Sequence, residues 1–118
     1  MRGIGTMLGT CCATVMDETT CMVRAAWNLM RFYAHESCGQ CTPCREGCGW
    51  MARICAKLEA GECGRDELAT LTDVANNIMG NTICALGDAA AWPIQGLIRH
   101  FRPEMEQRIR EYRKMAAE

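Results

Sequence analysis

The sequence has no long hydrophobic run, no surplus of one charge and no room for a large second domain. No apolar stretch approaches the roughly 20 residues that a membrane-spanning helix needs, although hydrophobic residues make up 49% of the chain. Thirteen Lys and Arg stand against 14 Asp and Glu, leaving a net charge of −1 with both signs spread along the chain. A nucleic-acid binder would concentrate its basic residues on one face, so that class is set aside. The opening MRGIGTMLGT has neither the sustained apolar core of a secretory signal nor the Arg-rich amphipathic pattern of a transit peptide, and no targeting segment is expected there. At 118 residues the chain fits one domain with a modest core, too short to add a nucleotide-binding domain. Gly3-x-Gly5 is no dinucleotide fingerprint, since no strand precedes it and no βαβ unit follows. Neither an internal repeat nor a low-complexity tract is present.

What the chain has in abundance is cysteine, at 10 residues of 118. A secreted disulfide scaffold and a metal site in a reducing compartment compete for that composition. The remainder is rich in helix-forming Ala, Met, Leu, Glu and Arg, unlike the loop-rich small domains that disulfides staple. That favours metal before spacing is considered.

Residues 1–16 are Gly-rich and then apolar, and Cys11–Met16 read as a short strand closing at Asp17. A single strand has no partner within the chain, so residues 1–16 are assigned as the remnant of a preceding domain and 17–118 as a helical domain. Met22, Ala26, Met30 and Tyr33 recur at helical spacing between Thr19 and about Ala34, with Asp17, Thr19 or Thr20 as N-cap. A second helix starts near Pro43 or Cys44, carries Met51, Ile54 and Leu58 on one face, and stops at Gly61. Asp66 is the expected cap of a third, whose stripe is Leu68, Leu71, Ala75 and Ile78 and which Gly80 ends. The last helix is expected to begin at Ala89–Pro93 and to present Ile94, Leu97, Ile98 and Phe101. Pro103 must break or kink it before Met105, Ile109 and Tyr112, and Glu104/Arg108 and Glu106/Arg110 are spaced as i,i+4 pairs. The predicted fold is all-α, a small four-helix bundle with a cysteine loop, preceded by a short strand-like segment.

The loop from His35 to Cys44 contains C-x2-C-x2-C at Cys38, Cys41 and Cys44. Three thiolates at this spacing wrap one corner of an iron–sulfur cubane and leave a fourth ligand to come from elsewhere. Zinc usually takes two separated knuckles instead. Gly39 lets the backbone turn tightly beside the sulfides, where exposed amides can donate to them. Cys48 completes a local C-x2-C-x2-C-x3-C that imitates the ferredoxin run, but Gly49 rather than Pro follows it and no second triplet exists. It also falls one turn into the second helix, where packing is the better account. Cys84 lies in the second loop, Asn81–Asp88, where the backbone is free to turn a side chain inward. Cys84 is therefore preferred over Cys48. Cys55 shares a face with Cys48 and both read as small hydrophobes, as do Cys11, Cys12 and Cys21, with Cys63 in a turn. Cys48–Cys55 and Cys11–Cys21 disulfides are the competing use, disfavoured because cluster proteins live where thiols stay reduced.

Among the neighbours, His35 reads as a helix-end residue bonding a last carbonyl, against a second-shell proton group. Arg45 is balanced between offsetting cluster charge and a solvated helix start. Asp88 is expected to cap the last helix, and Trp92-Pro93 to form a wall over the cluster with a helix-start proline. Trp27, Trp50 and the methionines read as packing.

The stretch ESCGQCTPCREG, followed further along by TICALGDAAAWP and GLIRHFRPE, resembles one family. It is similar to the C-terminal [4Fe–4S] domain of the NADH-binding, flavin-containing subunit of respiratory complex I (the 51-kDa, or flavoprotein 1, subunit). The resemblance runs from about Gly5, through VMDE at Val15–Glu18, to about Glu111, and GLIRHFRPEMEQRI looks most like the mitochondrial and α-proteobacterial branch. Related subunits occur in NAD-linked hydrogenases and formate dehydrogenases. The resemblance implies that Cys38, Cys41, Cys44 and Cys84 ligate the cluster nearest the flavin, the four that spacing also selects. It implies a helical bundle after a ubiquitin-like domain, whose final strand corresponds to residues around 9–16.

The function so implied is an electron-transfer module of an NADH:ubiquinone oxidoreductase, taking single electrons from reduced FMN toward further clusters. The partners implied are a thioredoxin-like [2Fe–2S] subunit, a large multi-cluster subunit and, for NADH and FMN, an upstream region or separate chain. The implied location is the peripheral arm, on the matrix side of the mitochondrial inner membrane or in a bacterial cytoplasm at the membrane face. The chain departs from the family in Cys11, Cys12, Cys48, Cys55 and Cys63 and in carrying no NADH or FMN site. The rival readings are a structural zinc domain on the same four cysteines, a metal-free helical interaction module and, last, a catalytic thiol in a redox C-x-x-C.

Overall fold

The four apolar stripes become four helices: α1 (Met22–Glu36), α2 (Thr42–Ala60), α3 (Arg65–Ile78) and α4 (Leu86–Met115). They are seen in a computed structural model that describes Gly3, residues 9–115 and Ala117. The Gly-rich opening therefore lies, apart from Gly3 and Gly9, outside the described residues. Within the described residues there is no strand; Cys12–Met16 runs exposed with no ladder partner. No helix among the described residues is long and apolar enough to cross a membrane.

The helix ends follow local chemistry, not always the residues expected. Asp17 does not cap α1; it accepts from the Thr19 amide and the Thr19 and Thr20 hydroxyls in the turn before it, and Cys21 occupies the N-cap. Those bonds to the charged form hold the Asp17 carboxyl below its usual range. Gly61, at φ 82, ends α2 as expected, and the following Glu62 amide bonds back to the Lys57 carbonyl at 2.8 Å. Gly64, not Asp66, is the N-cap of α3, because the Glu67 carboxylate reaches back to the Gly64 amide. The α4 helix starts at Leu86, earlier than expected, so Pro93 is an interior residue and not a helix-start proline. Pro103 acts as predicted: without an amide proton, and clashing with the preceding turn, it throws Phe101 out of helical geometry (φ −122, ψ 17).

The connections are short, so successive helices run antiparallel. Each helix packs on its chain neighbour, α4 closes the ring against α1, and α2 and α4 meet across the middle. The core takes most of the predicted stripe residues: Met30 from α1, Met51 and Leu58 from α2, Leu71 and Ile78 from α3, and Ile94, Met105 and Ile109 from α4 are all fully or almost fully buried, whereas Phe101, at the kink, and Tyr112, expected on the α4 stripe, are exposed. Ala90 and Ala91 let α4 approach closely. The predicted Glu104/Arg108 pair is absent; Arg108 instead donates to the Glu59 carbonyl oxygen and the Cys21 sulfur. Glu106 pairs with Arg102 at 3.0 Å, which holds its carboxyl below the usual range.

The bundle thus has two distinct poles. One gathers the start of α1, the end of α2 and the end of α4, where Arg108 ties them. The other gathers the end of α1, the starts of α2 and α4, and the end of α3. Both cysteine loops belong to this second pole.

Candidate metal centre

Gly47 explains how the two loops come to share a pole. It is buried on α2 just after Cys44, and a Cβ there would stand 2.5 Å from Ile78 Cδ1. The missing Cβ leaves room for the buried Ile78 side chain, which a larger residue would force to shift. Ile78 is the last residue of α3, and the chain passes from it directly into the loop bearing Cys84.

The first loop is held by its own side chains. Gly39 takes the left-handed conformation (φ 77), and the Arg45 guanidinium donates to its carbonyl at 2.9 Å while pairing with Glu46. Arg45 therefore clamps the loop rather than merely coating the helix start. Ser37 caps the end of α1 through its amide to the Tyr33 carbonyl. Its hydroxyl lies 3.2 Å from Cys44 Sγ. In the second loop, Asp88 is not the helix cap expected; it accepts the Gly80 amide at 2.7 Å and closes the loop on α4. Thr82 Oγ1 donates to the Cys84 carbonyl at 2.8 Å, and a Cβ on Gly87 would collide with Thr82.

The expected ligands differ in burial. Cys44 is buried in the first turn of α2, Cys41 is half-buried at its N-cap, and Cys38 and Cys84 are exposed. Among the described residues no three His, Cys, Asp or Glu side chains converge closely enough to hold a metal ion. All ten cysteines are free. Cys48 is fully buried, as packing predicts, but its sulfur lies 3.8 Å from Cys44 Sγ. Burial first, and then the Cys44 sulfur beside it, push the Cys48 thiol up to about 12. Burial likewise pushes Cys55 up to about 12 and Cys63 to about 11.

The flanking residues resolve differently. His35 is exposed and pairs with Glu36 at 3.2 Å instead of bonding a helix carbonyl. Trp92 is 41% exposed on the outer face of α4, and Trp50 is 49% exposed. The Ser37–Cys44–Cys48 contact and the Arg108–Cys21 contact were not foreseen. The first was latent in the i,i+4 spacing of Cys44 and Cys48; the second joins distant segments and has no local signal.

The donor set suits an iron–sulfur cubane. Its soft thiols come from two loops on one pole, next to the N-termini of α2 and α4. Both helix ends turn partial positive charge toward that pole, which favours thiolates and an anionic cluster.

Comparison with known proteins agrees. Residues 24–108 match the NADH-ubiquinone oxidoreductase-F iron-sulfur binding region. The chain is 57% identical over 116 residues to the F 1 component of the NADH-quinone oxidoreductase of Rhizobium meliloti, covering 98% of this chain and 27% of that protein. It is 56% identical over 105 residues to the mitochondrial NADH dehydrogenase [ubiquinone] flavoprotein 1 of Dictyostelium discoideum, covering 89% of this chain and 22% of that protein. Among solved structures, an NAD+-reducing [NiFe]-hydrogenase in its H2-reduced state superimposes with a TM-score of 0.77 at 36% identity, over 80% of this chain and 16% of that one. The bundle and its cysteine pole define an iron–sulfur binding module. The chain belongs to the iron–sulfur binding region family of NADH-ubiquinone oxidoreductase F. It spans about a quarter of the length of the curated relatives it matches.

Proposed function

We propose that Cys38, Cys41, Cys44 and Cys84 hold one [4Fe–4S] cluster, and that the chain is the one-electron relay of an NADH-oxidising assembly. The observation that carries this reading is the seating of Ile78 on Gly47, which supports a common pole for the triplet loop and the Cys84 loop. The cluster, when bound, supplies reversible one-electron oxidation and reduction. The chain's own residues hold and tune it. Arg45 and Gly39 keep the triplet loop curved, and Asp88 and Thr82 keep the Cys84 loop closed.

Residues 17–118 form the cluster domain, and 1–16 belong to the end of a preceding domain. The NADH and FMN sites lie outside this chain, upstream or on a partner. The relatives' names support a place in a multisubunit NADH dehydrogenase; the neighbours there, on the resemblance set out above, are a thioredoxin-like [2Fe–2S] subunit and a multi-cluster subunit. One of those relatives is mitochondrial and the other bacterial, and the location that goes with this reading is the peripheral arm, on the mitochondrial matrix side or at the cytoplasmic face of a bacterial membrane.

Anaerobic reconstitution with iron and sulfide tests the reading, with metal content and EPR after dithionite reduction. About four irons per chain and a reduced-cubane signal, lost in Cys84→Ser and retained in Cys48→Ser, are expected. Zinc retained in place of iron, or an unaffected signal in Cys84→Ser, would overturn it.

A further inference from the structure

Cys44 is the one proposed ligand whose sulfur has two side-chain neighbours able to donate to it. Ser37 Oγ lies 3.2 Å away and Cys48 Sγ 3.8 Å away, on either side of the first turn of α2. In the free protein either member of each pair can be the donor. A ligating Cys44 is a thiolate with no proton left, so both contacts must then run toward it: Ser37 O–H and Cys48 S–H donate, and Cys44 Sγ accepts. Cys48 has no exposed surface and Cys44 is 6% exposed, so water has little access to this pair. Each donor counters negative charge on the sulfur. That charge is larger when the cluster is reduced, so each bond stabilises the reduced state more than the oxidised one.

We infer that Cys48 and Ser37 are positioning residues that raise the reduction potential of the cluster by hydrogen-bonding the Cys44 sulfur. Cys48 is thereby neither a spare ligand nor inert packing. The inference rests on the ligand assignment proposed above. It adds an asymmetry: negative charge is favoured at the buried Cys44 sulfur, which has two donors, while the exposed Cys38 and Cys84 sulfurs have no such neighbours among the described side-chain bonds.

The test is an EPR-monitored redox titration, with iron content, of the reconstituted full chain and its Cys48→Ala, Cys48→Ser, Ser37→Ala and Ser37→Ala/Cys48→Ala variants. Iron content should stay at the wild-type level throughout. The potential should fall in Cys48→Ala and in Ser37→Ala, each by about a tenfold change in the oxidised-to-reduced ratio, or about 59 mV for one electron. It should fall further in the double variant, and less in Cys48→Ser, which keeps a donor. A merely structural role for Cys48 would not move the potential in step with donor loss. Wild-type loading with an unmoved potential in both single Ala variants overturns this inference and leaves the ligand assignment standing. Loss of iron in Cys48→Ala overturns it by making Cys48 a ligand. A wild-type chain that takes up no cluster overturns the assignment and this inference together.

Discussion

Arg108 donates to the Sγ of Cys21 at 2.9 Å, across 87 positions of sequence. A second N–H of the same guanidinium reaches the Glu59 carbonyl oxygen at 2.9 Å. One side chain thus joins α4 beyond its kink to the last turn of α2 and the N-cap of α1. It satisfies a helix-terminal carbonyl that has no partner within α2.

Replacing Arg108 removes that tie at the pole opposite the cysteine loops. Arg108→Ala should cost about 1–3 kcal/mol of stability, the usual range for a charged donor leaving a part-buried acceptor unmet. Arg108→Lys should recover only part, since an ammonium lacks the fork that spans both acceptors. Urea denaturation checks this, and cluster loading should be unchanged in both.

Glycines on α2 and α4 should respond in opposite senses. Gly47→Ala drives a methyl against Ile78, whose Cγ1 would lie at 2.7 Å, within a packed core. Overpacking of this kind costs about 1–3 kcal/mol. Gly96→Ala meets nothing within 4 Å and should stabilise α4 by about 0.5–1 kcal/mol. Denaturation midpoints of the two variants test the contrast.

Buried thiols make stability fall at alkaline pH. Cys55 is pushed from 9.0 up to about 12 in the folded chain, and Cys63 from 9.0 to about 11. Above the unfolded value the unfolded chain has lost a proton that the folded chain keeps. Stability is therefore fully present below pH 9.0 and declines as pH rises toward the folded values. Urea titrations under reducing, anaerobic conditions should show this decline, and Cys55→Ala should flatten it.

Asp88→Ala frees the Gly80 amide and should cost about 1 kcal/mol. Because that bond closes the Cys84 loop, a reconstituted Asp88→Ala chain should lose iron to a chelator faster than wild type. Equal loss rates would mean that the loop keeps its shape without this bond.

Much of the fold was legible because helical periodicity is local. The core residues Met30, Leu58, Leu71 and Ile94 lie on the stripes that spacing selects, and Gly61 and Pro103 interrupt the chain through their own backbone chemistry. The errors arose where local preference met packing. Pro93 reads as a helix start, yet buried Gly87, Ala90 and Ala91 carry α4 back to Leu86. Asp66 and Asp88 read as caps by residue type, but Glu67 reaches Gly64, and Asp88 is turned to a loop amide several positions earlier.

The amino-acid sequence by itself determined four amphipathic helices, their breaks, and a cysteine triplet whose spacing belongs to iron–sulfur chemistry, because each depends on residues within one or two turns of one another. Which sulfur is buried and which side chains flank it were decided only by the tertiary structure. Gly47 against Ile78, Ser37 and Cys48 around Cys44, and Arg108 on Cys21 are contacts made when helices pack. Of these, only the i,i+4 spacing of Cys44 and Cys48 left a local trace; close approach between separate helices depends on the whole core, and no local pattern records it.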